Sequence, residues 1–349
     1  MPADAFGCGH YRMIWPANVL HINGMNVRVF PPTHGTGLQV EVEERSDGKR
    51  TLKDVNLPHD TEAIVLQRPA AELHPQLVRM VRAAGIPVIV DMDDDMSSIH
   101  PSNDAFYHYR NSTRNGMSWK YAAESCRDAT MVTTSTKRLQ AVYAKHGRGR
   151  VIDNYVPAAY LEFERKHTGH FGWAGSTNSH PDDLQVTGKA IPELMAEGFC
   201  FTVVGGKSQV KEVLRLPEQP NYTGVVGPEN WARTIALNLE VGMAPLAVSS
   251  FNTAKSRLKP IEMMAVGVPW VSSPREEYRR VHRESGCGFL ADTPKQWRDQ
   301  LRELLTNDRL REEQAQAGRE YMRSQTYEMN AWRWWEAWQD AIELEKKLR

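Results

Sequence analysis

Between Asn252 and Ser273 the chain reads NTAKSRLKPIEMMAVGVPWVSS, which gathers three cations, a serine and a carboxylate at one apparent helix start. Lys255, Ser256, Arg257 and Lys259 form a polar lead into a short apolar helix, with Pro260 tolerated in the first turn. Gly267 suits a C-terminal cap, and Pro269 opens the strand-like run PWVSS. Basic side chains and free backbone N–H groups at a helix N-terminus make a seat for a phosphate or diphosphate. Glu262, three residues after Lys259, shares that helix face and can accept hydrogen bonds from sugar hydroxyls while the lysine meets phosphate. An ordinary surface helix of mixed charge carries the same residue types, so the neighbouring segments decide.

A second cluster follows the run IPVIV: Asp91, Asp93, Asp94 and Asp95 put four carboxylates within five residues. Such a cluster repels itself and needs solvent, a cation or a function. Consecutive aspartates alone are weak evidence for a metal site. An acidic helix start before Ser97 and Ser98 explains them without chemistry. The functional alternative is a carboxylate that meets an acceptor hydroxyl as base or hydrogen-bond acceptor. Near the start, Gly7 and Gly9 precede His10, Tyr11 and Arg12, in an order that fits a strand, a glycine turn and a helix. Gly9 and Tyr11 then fall beside a ligand, and Arg12 is a candidate clamp on substrate or on a second domain. Gly175 with Ser176, and Gly205 with Gly206, stand where strands should end, as backbone donors to an anion would. Each is equally a plain turn.

The elements that must hold these residues alternate. NVRVF, LQVEVEE and EAIVLQRP read as strands, a helix covers Leu73–Ala84, and IPVIV delivers the acidic run. The polar and aromatic stretch from Asp104 to Asn115 reads as a loop or irregular helix. A helix over Trp119–Cys126, a strand ATMVTTST, a helix over Lys137–His146 and a strand RVIDNYVP close the first half. The alternation then restarts with HFGWAG, a helix over Leu184–Ala196, FCFTVVGG, a helix opening near Trp231, and GMAPLAVSS. Strand–helix–strand spacing of this kind argues for parallel sheets, whose ligands collect at the carboxyl ends of the strands. The final segment is helical, and Ala331, Trp334, Trp335, Trp338, Ala341 and Ile342 make one core-facing stripe rather than a base-stacking platform. The boundaries expected are an N-terminal domain over 1–156, a second over 157–325, and a helix over 326–349 that packs across both.

Composition narrows the class. The 349 residues are 41% hydrophobic and 25% charged, with a formal net charge of zero, which gives no global pull toward nucleic acid or an anionic membrane. Cys8, Cys126, Cys200 and Cys287 are far apart, lack metal-ligand spacing and read as reduced thiols. No apolar run reaches membrane-spanning length, and MPAD does not begin a signal peptide, so the expected compartment is the cytoplasm.

Read in order, GMAPL, Asn252, AKSRLK, Glu262, AVGVPWVSS and GCGFL, with WAGSTNSHPDDL, FTVVGG, YTG and IDNYVP before them, resemble the GT-B glycosyltransferases. The likeness is to the large retaining family, glycosyltransferase family 4-like or group 1, that includes sucrose and mannosyl transferases. It is nearest to the short members encoded by bacteriophages, for which the compartment is the host cytoplasm. The resemblance implies an α/β fold of two Rossmann-like domains with parallel sheets facing across a cleft, and a C-terminal helix crossing back to the first domain. It implies that the second domain binds a nucleoside-diphosphate sugar, UDP- or GDP-linked. Glu262 would hold the ribose, and Lys255, Ser256, Lys259 and nearby N–H groups the diphosphate. Asn252, Gly175, Ser176, Gly205 and Gly206 belong to the same donor seat. The family often carries two glutamates seven residues apart, and the first falls here at Ala254. The usual Arg/Lys pair is missing from the Gly175 loop, which shifts the phosphate to Lys255, Arg257 and Lys259. The family's histidine after the fourth strand is replaced by Asp93, with Asp91 and Asp94 beside it on the acceptor side. The implied reaction moves a hexosyl group to an acceptor hydroxyl with retention and without a metal or other cofactor. The acceptor, whether protein, modified DNA base or small molecule, and the oligomeric state are left open. Three rivals stand beside this: a nucleotide-sugar epimerase, a catalytically silent nucleotide-sugar-binding protein, and a transferase acting on a nucleic-acid base along Arg12, Arg110, Arg114 and Lys120.

Overall fold

The structure is a computed structural model and describes all residues except 31–37, 45, 47, 111–117, 181 and 207–208. Arg114 and Lys207 therefore lie outside the described residues. The chain divides into two compact units, one of Met1–Pro101, Ala105–Asn154 and Asn330–Arg349, the other of Ser102–Asp104 and Tyr155–Met329.

The first unit holds a hairpin, β1 (Gln39–Glu44) and β2 (Arg50–Asn56), and a four-stranded parallel sheet. That sheet consists of β3 (Ile64–Gln67), β4 (Val88–Met92), β5 (Met131–Thr134) and β6 (Gly149–Val151), in that spatial order. Val88, Ile89, Val90 and Met92 are all fully buried, as expected for a parallel strand covered on both faces. Helices His74–Ala83 and Ser118–Asp128 pack on it. On helix Trp332–Leu348, Trp334, Ala337, Trp338 and Ala341 are buried, so the tryptophan stripe is core.

That helix is fastened at its far end. Glu345, 4% exposed, accepts from Arg82 Nε at 2.8 Å and from the Thr130 hydroxyl. Burial pushes the Glu345 carboxyl up, but the bonds from Arg82 and Thr130 outweigh it and hold it below the ordinary value. A depressed carboxyl stabilises the fold above its unfolded value near 4.5 and loses that contribution as pH falls through the folded one. Glu345→Gln is therefore expected to cost about 1–3 kcal/mol at neutral pH. Urea midpoints measured from pH 7 downward should show a gap between wild type and variant that closes in acid.

Several expectations change here. Residues of NVRVF are not in a strand, and LQVEVEE contributes an exposed strand to an antiparallel hairpin, outside the parallel sheet. No strand precedes Gly7. Gly7–Gly9 begins a helical segment that passes through a π-helical turn, His10–Ile14, into the helix Trp15–Ile22. The helix expected over Leu184–Ala196 is broken into a 3-10 turn, Leu184–Thr187, and a helix, Ala190–Ala196, by Gly188 at φ 55°.

The second unit carries a six-stranded parallel sheet. Its strands are β7 (His170–Ala174), β8 (Cys200–Val204), β9 (Asn221–Tyr222), β10 (Val241–Ala244), β11 (Trp270–Ser272) and β12 (Phe289–Leu290). They run in the spatial order β12-β11-β10-β7-β8-β9. The chain therefore starts in the middle, builds outward to β9, then returns to lay β10 on the other side of β7. The reversal makes the carboxyl ends of β7 and β10 a topological switch point, where open α/β sheets bind their ligands. Phe171, Trp173, Phe201, Val203, Val241, Met243 and Trp297 form the core beneath it.

Candidate functional site

The chain leaves β7 at Ala174 and turns at once. Gly175 N–H donates to the Val204 carbonyl at 3.1 Å, and the N–H groups of Ser179 and His180 donate to Ser176 O at 3.3 and 3.0 Å. A Cβ on Gly175 would stand 2.6 Å from the Trp173 ring and 3.1 Å from Lys259 Nζ. Gly205, after β8, sits at φ 152°, and a Cβ there would meet the Gly175 carbonyl at 2.5 Å. Only glycine lets these two strand ends pass so closely.

Beyond β10 the chain forms the short helix Ser250–Thr253, capped by Ser249 Oγ accepting from Asn252 N–H at 3.1 Å. Lys255, Ser256 and Arg257 then lead into the helix Leu258–Ala265. Lys259 reaches back to β7. Its ammonium donates to the Ala174 carbonyl and lies 5.5 Å from the centre of the Trp173 ring. Burial lowers the Lys259 pKa, Glu262 and Asp183 oppose that, and Lys255 adds to it. Glu262 is 5% exposed on the same helix, and the Lys255 ammonium stands 4.3 Å over the Phe251 ring. The structure thus brings together Gly175, Ser176, Gly205, Lys255, Lys259 and Glu262. Gly206 follows at the end of β8, where a Cβ would touch Val225 at 3.0 Å.

Arg257, expected at the phosphate, and Asn252, expected in the donor seat, have side chains bonded within the second unit. Arg257 is 2% exposed and donates to Tyr321 Oη at 2.6 Å, Gln325 Oε1 at 2.8 Å and Glu284 Oε2 at 3.2 Å. Its donors thus tie the loop to the helices behind it. Asn252 gives its amide N–H groups to Asp183 Oδ1 at 2.7 Å and Ala247 O at 3.1 Å, which braces the turn after β10. Ala254 is itself 1% exposed.

Asp183 and His180 were missed by the sequence reading. Asp183, 2% exposed, accepts from His180 Nδ1 at 2.8 Å, Ala247 N–H at 2.8 Å and Asn252. Burial pushes its carboxyl up, but these bonds outweigh it and hold the group below the ordinary value. His180 is pushed down to about 4 by burial and by the charges of Lys259 and Lys255, against the pull of Asp183, and is neutral at pH 7. Buried Tyr278 lies in the field of Asp183 and Glu262, and burial raises its phenol pKa. The one local signal was the His-x-x-Asp spacing after the Gly-Ser turn.

In the first unit the acidic run separates into three tasks. Asp91 is 1% exposed and bound by Arg12 through Nε–Oδ1 at 3.0 Å and Nη2–Oδ2 at 2.8 Å, with the Thr133 hydroxyl at 2.7 Å. Arg12, also 1% exposed, gives Nη1 to Ile152 O at 2.7 Å and Asn154 Oδ1 at 3.0 Å, and lies 5.1 Å from the Trp334 ring. The pair is interior, so neither residue is presented to an acceptor. Tyr11, 4% exposed, packs its ring on Trp15, and Gly9 faces the Asp4 carbonyl, 1.9 Å from where a Cβ would be. Asp95 caps the turn Met96–Ser98 by accepting from Ser97 N–H at 3.1 Å. Asp93 is left at the end of β4, its side chain 8% exposed, with Arg68 Nε at 3.2 Å and Gln67 Nε2 at 3.4 Å. Burial raises its carboxyl pKa, Arg68 opposes, and Asp94 and Asp91 raise it further. Asp94 beside it is partly exposed. Among the described residues no group of three or more His, Cys, Asp or Glu is arranged to hold a metal ion, and no helix is long and apolar enough to cross a membrane.

Two Rossmann-like α/β units, each with its sheet parallel, define the GT-B class of fold. Residues 168–307 match the family described as Glycosyl transferases group 1. Three solved structures share the fold. Sucrose-phosphate synthase from Thermosynechococcus elongatus is 15% identical with a TM-score of 0.59, over 98% of this chain and 96% of that one. WaaG, a glycosyltransferase of lipopolysaccharide biosynthesis, is 15% identical with a TM-score of 0.57, over 92% and 93%. A variant of S. aureus TarM, solved with fondaparinux, α-GlcNAc-glycerol and UDP, is 14% identical with a TM-score of 0.52, over 72% of this chain and 51% of that one. The chain spans about half the length of the TarM chains it resembles, 54% and 51% in two structures. No curated protein matches it by sequence. The family match falls within the second unit, and the shared fold extends over both.

Proposed function

We propose that this chain transfers a hexosyl group from a nucleoside-diphosphate sugar to an acceptor hydroxyl, with retention and without a metal. The observation that carries the reading is the meeting of Lys259, Lys255 and Glu262 with the Gly175 and Gly205 turns at the switch point of the second sheet. A departing diphosphate gathers negative charge, and preorganised cations and N–H groups stabilise that charge. Lys255 and Lys259 supply it here, Glu262 takes the ribose hydroxyls, and Asp93 takes the acceptor hydroxyl, its raised pKa suiting a base. Retention follows the family resemblance. UDP is the first nucleotide to try, because the TarM structure holds it. Buried Ala254, where the family often has a glutamate, favours one rival: a protein that binds the donor and does not turn it over.

A thermal-shift screen against UDP-, GDP-, ADP- and dTDP-sugars tests this. At a hundredfold excess over Kd a specific donor adds about 2.7 kcal/mol and raises Tm. The donor found is then incubated with chelator and candidate acceptors. No shift with any donor sinks the reading, and tight binding with no product under any acceptor moves it to the silent binder.

A further inference from the structure

The Gly175 turn brings an imidazole, not a lysine, to the seat described above. His180 Nδ1 donates to the ionised Asp183, so the ring's proton is on Nδ1 and Nε2 carries a lone pair. Nε2 has no hydrogen-bond partner among the described residues. The ring stands edge-on to Trp173 at 6.4 Å, and the ammonium of Lys259 lies 5.5 Å from the same indole. The side chains of His180 and Asp183 are 15% and 3% exposed, so the pair is held rather than solvated. The charged groups acting on the ring are Asp183 from its own turn, Lys259 from helix Leu258–Ala265 and Lys255 from the loop before it. Burial does most to keep the ring neutral, and the two positive charges add to it.

We propose that His180, backed by Asp183, is a third and conditional cation of this seat, taking one proton from solvent onto Nε2 when a nucleoside diphosphate binds and returning it on release. This deepens the proposed function and rests on it. The diphosphate reverses the local field, because it cancels Lys255 and Lys259 and adds charge of its own. One negative charge about 4 Å away in the protein's partly screened interior shifts a protonation equilibrium about a thousandfold. That carries an imidazole from about 4 into the neutral range. Asp183 compensates the imidazolium from behind, as a carboxylate does when it orients a catalytic histidine. Binding thereby becomes stronger as pH falls toward 6, and the ring returns to neutral once the product leaves.

Calorimetric titration of UDP, GDP, ADP and dTDP into the full chain near pH 6, in buffers of different ionisation enthalpy, counts the protons taken up. For the nucleotide that binds, wild type should take up about one proton more than His180→Gln. The glutamine variant should bind at least tenfold more weakly near pH 6 than wild type, with a flatter pH profile. His180→Lys should restore affinity without the uptake. Equal proton uptake in wild type and His180→Gln, with binding intact, overturns the inference and leaves the glycosyltransferase reading standing. If none of the four nucleotides binds, the glycosyltransferase reading itself fails, and this inference with it.

Discussion

Lys259→Ala is expected to abolish glycosyl transfer while the chain stays folded. On the proposed mechanism the ammonium is aimed at charge that develops as the sugar–phosphate bond breaks. Losing one such donor costs on the order of 2.7–4 kcal/mol of barrier, a hundred- to a thousandfold in kcat. The structural cost is much smaller. In the resting site the ammonium makes one hydrogen bond among the described residues, to the Ala174 carbonyl, and rests over Trp173. Losing that bond costs about 1 kcal/mol, within the stability reserve of most domains. Lys255→Ala should lower the rate by less, since its ammonium lies over the Phe251 ring whereas that of Lys259 is held at the end of β7. Initial rates with the donor found by thermal shift, beside urea midpoints, separate the two effects. Near-normal turnover in Lys259→Ala would remove the diphosphate from this position.

Arg12→Met should instead unfold the protein more readily, by about 3–5 kcal/mol, because it strands the Asp91 carboxylate in the core. Arg12 also holds the Ile152 carbonyl and the Asn154 side chain just beyond β6, so that edge loosens with it. The double change Arg12→Met with Asp91→Leu removes both charges and should recover much of the loss, since buried pairs are often replaceable by apolar packing. Urea midpoints of the three variants decide. A clamp on substrate would behave in the opposite way, with midpoints unchanged and KM raised in the single variant.

The α/β class was legible because its strands are short, largely apolar and separated by helix-length spacers: IPVIV, FCFTVV and GMAPL all contribute to parallel strands. Lys259 and Glu262 were findable as a pair since helix geometry puts neighbours three apart on one face. Other parts had no local signature. Arg12 and Asp91 are 79 residues apart, and nothing near either one announces that each neutralises the other. Arg257 sits among cations that look alike in sequence, and only the positions of Tyr321 and Gln325 single it out. The glycines at 7 and 9 suggested a ligand turn, whereas Gly9 answers to the carbonyl of Asp4. NVRVF alternates like a strand yet joins no sheet, a reminder that period-2 patterning reports a preference that needs a partner edge.

The membership of helix Trp332–Leu348 in the first unit has a consequence for biosynthesis. Emerging from a ribosome, Met1–Asn154 has its strands but lacks Trp334, Trp338 and Ala341, which close one side of its core. The second unit, almost entirely contiguous, has no such wait. The usual order, in which the N-terminal domain matures first during translation, is therefore expected to be reversed here. The earlier-made part of the first unit keeps apolar surface uncovered until residues 330–349 have been translated.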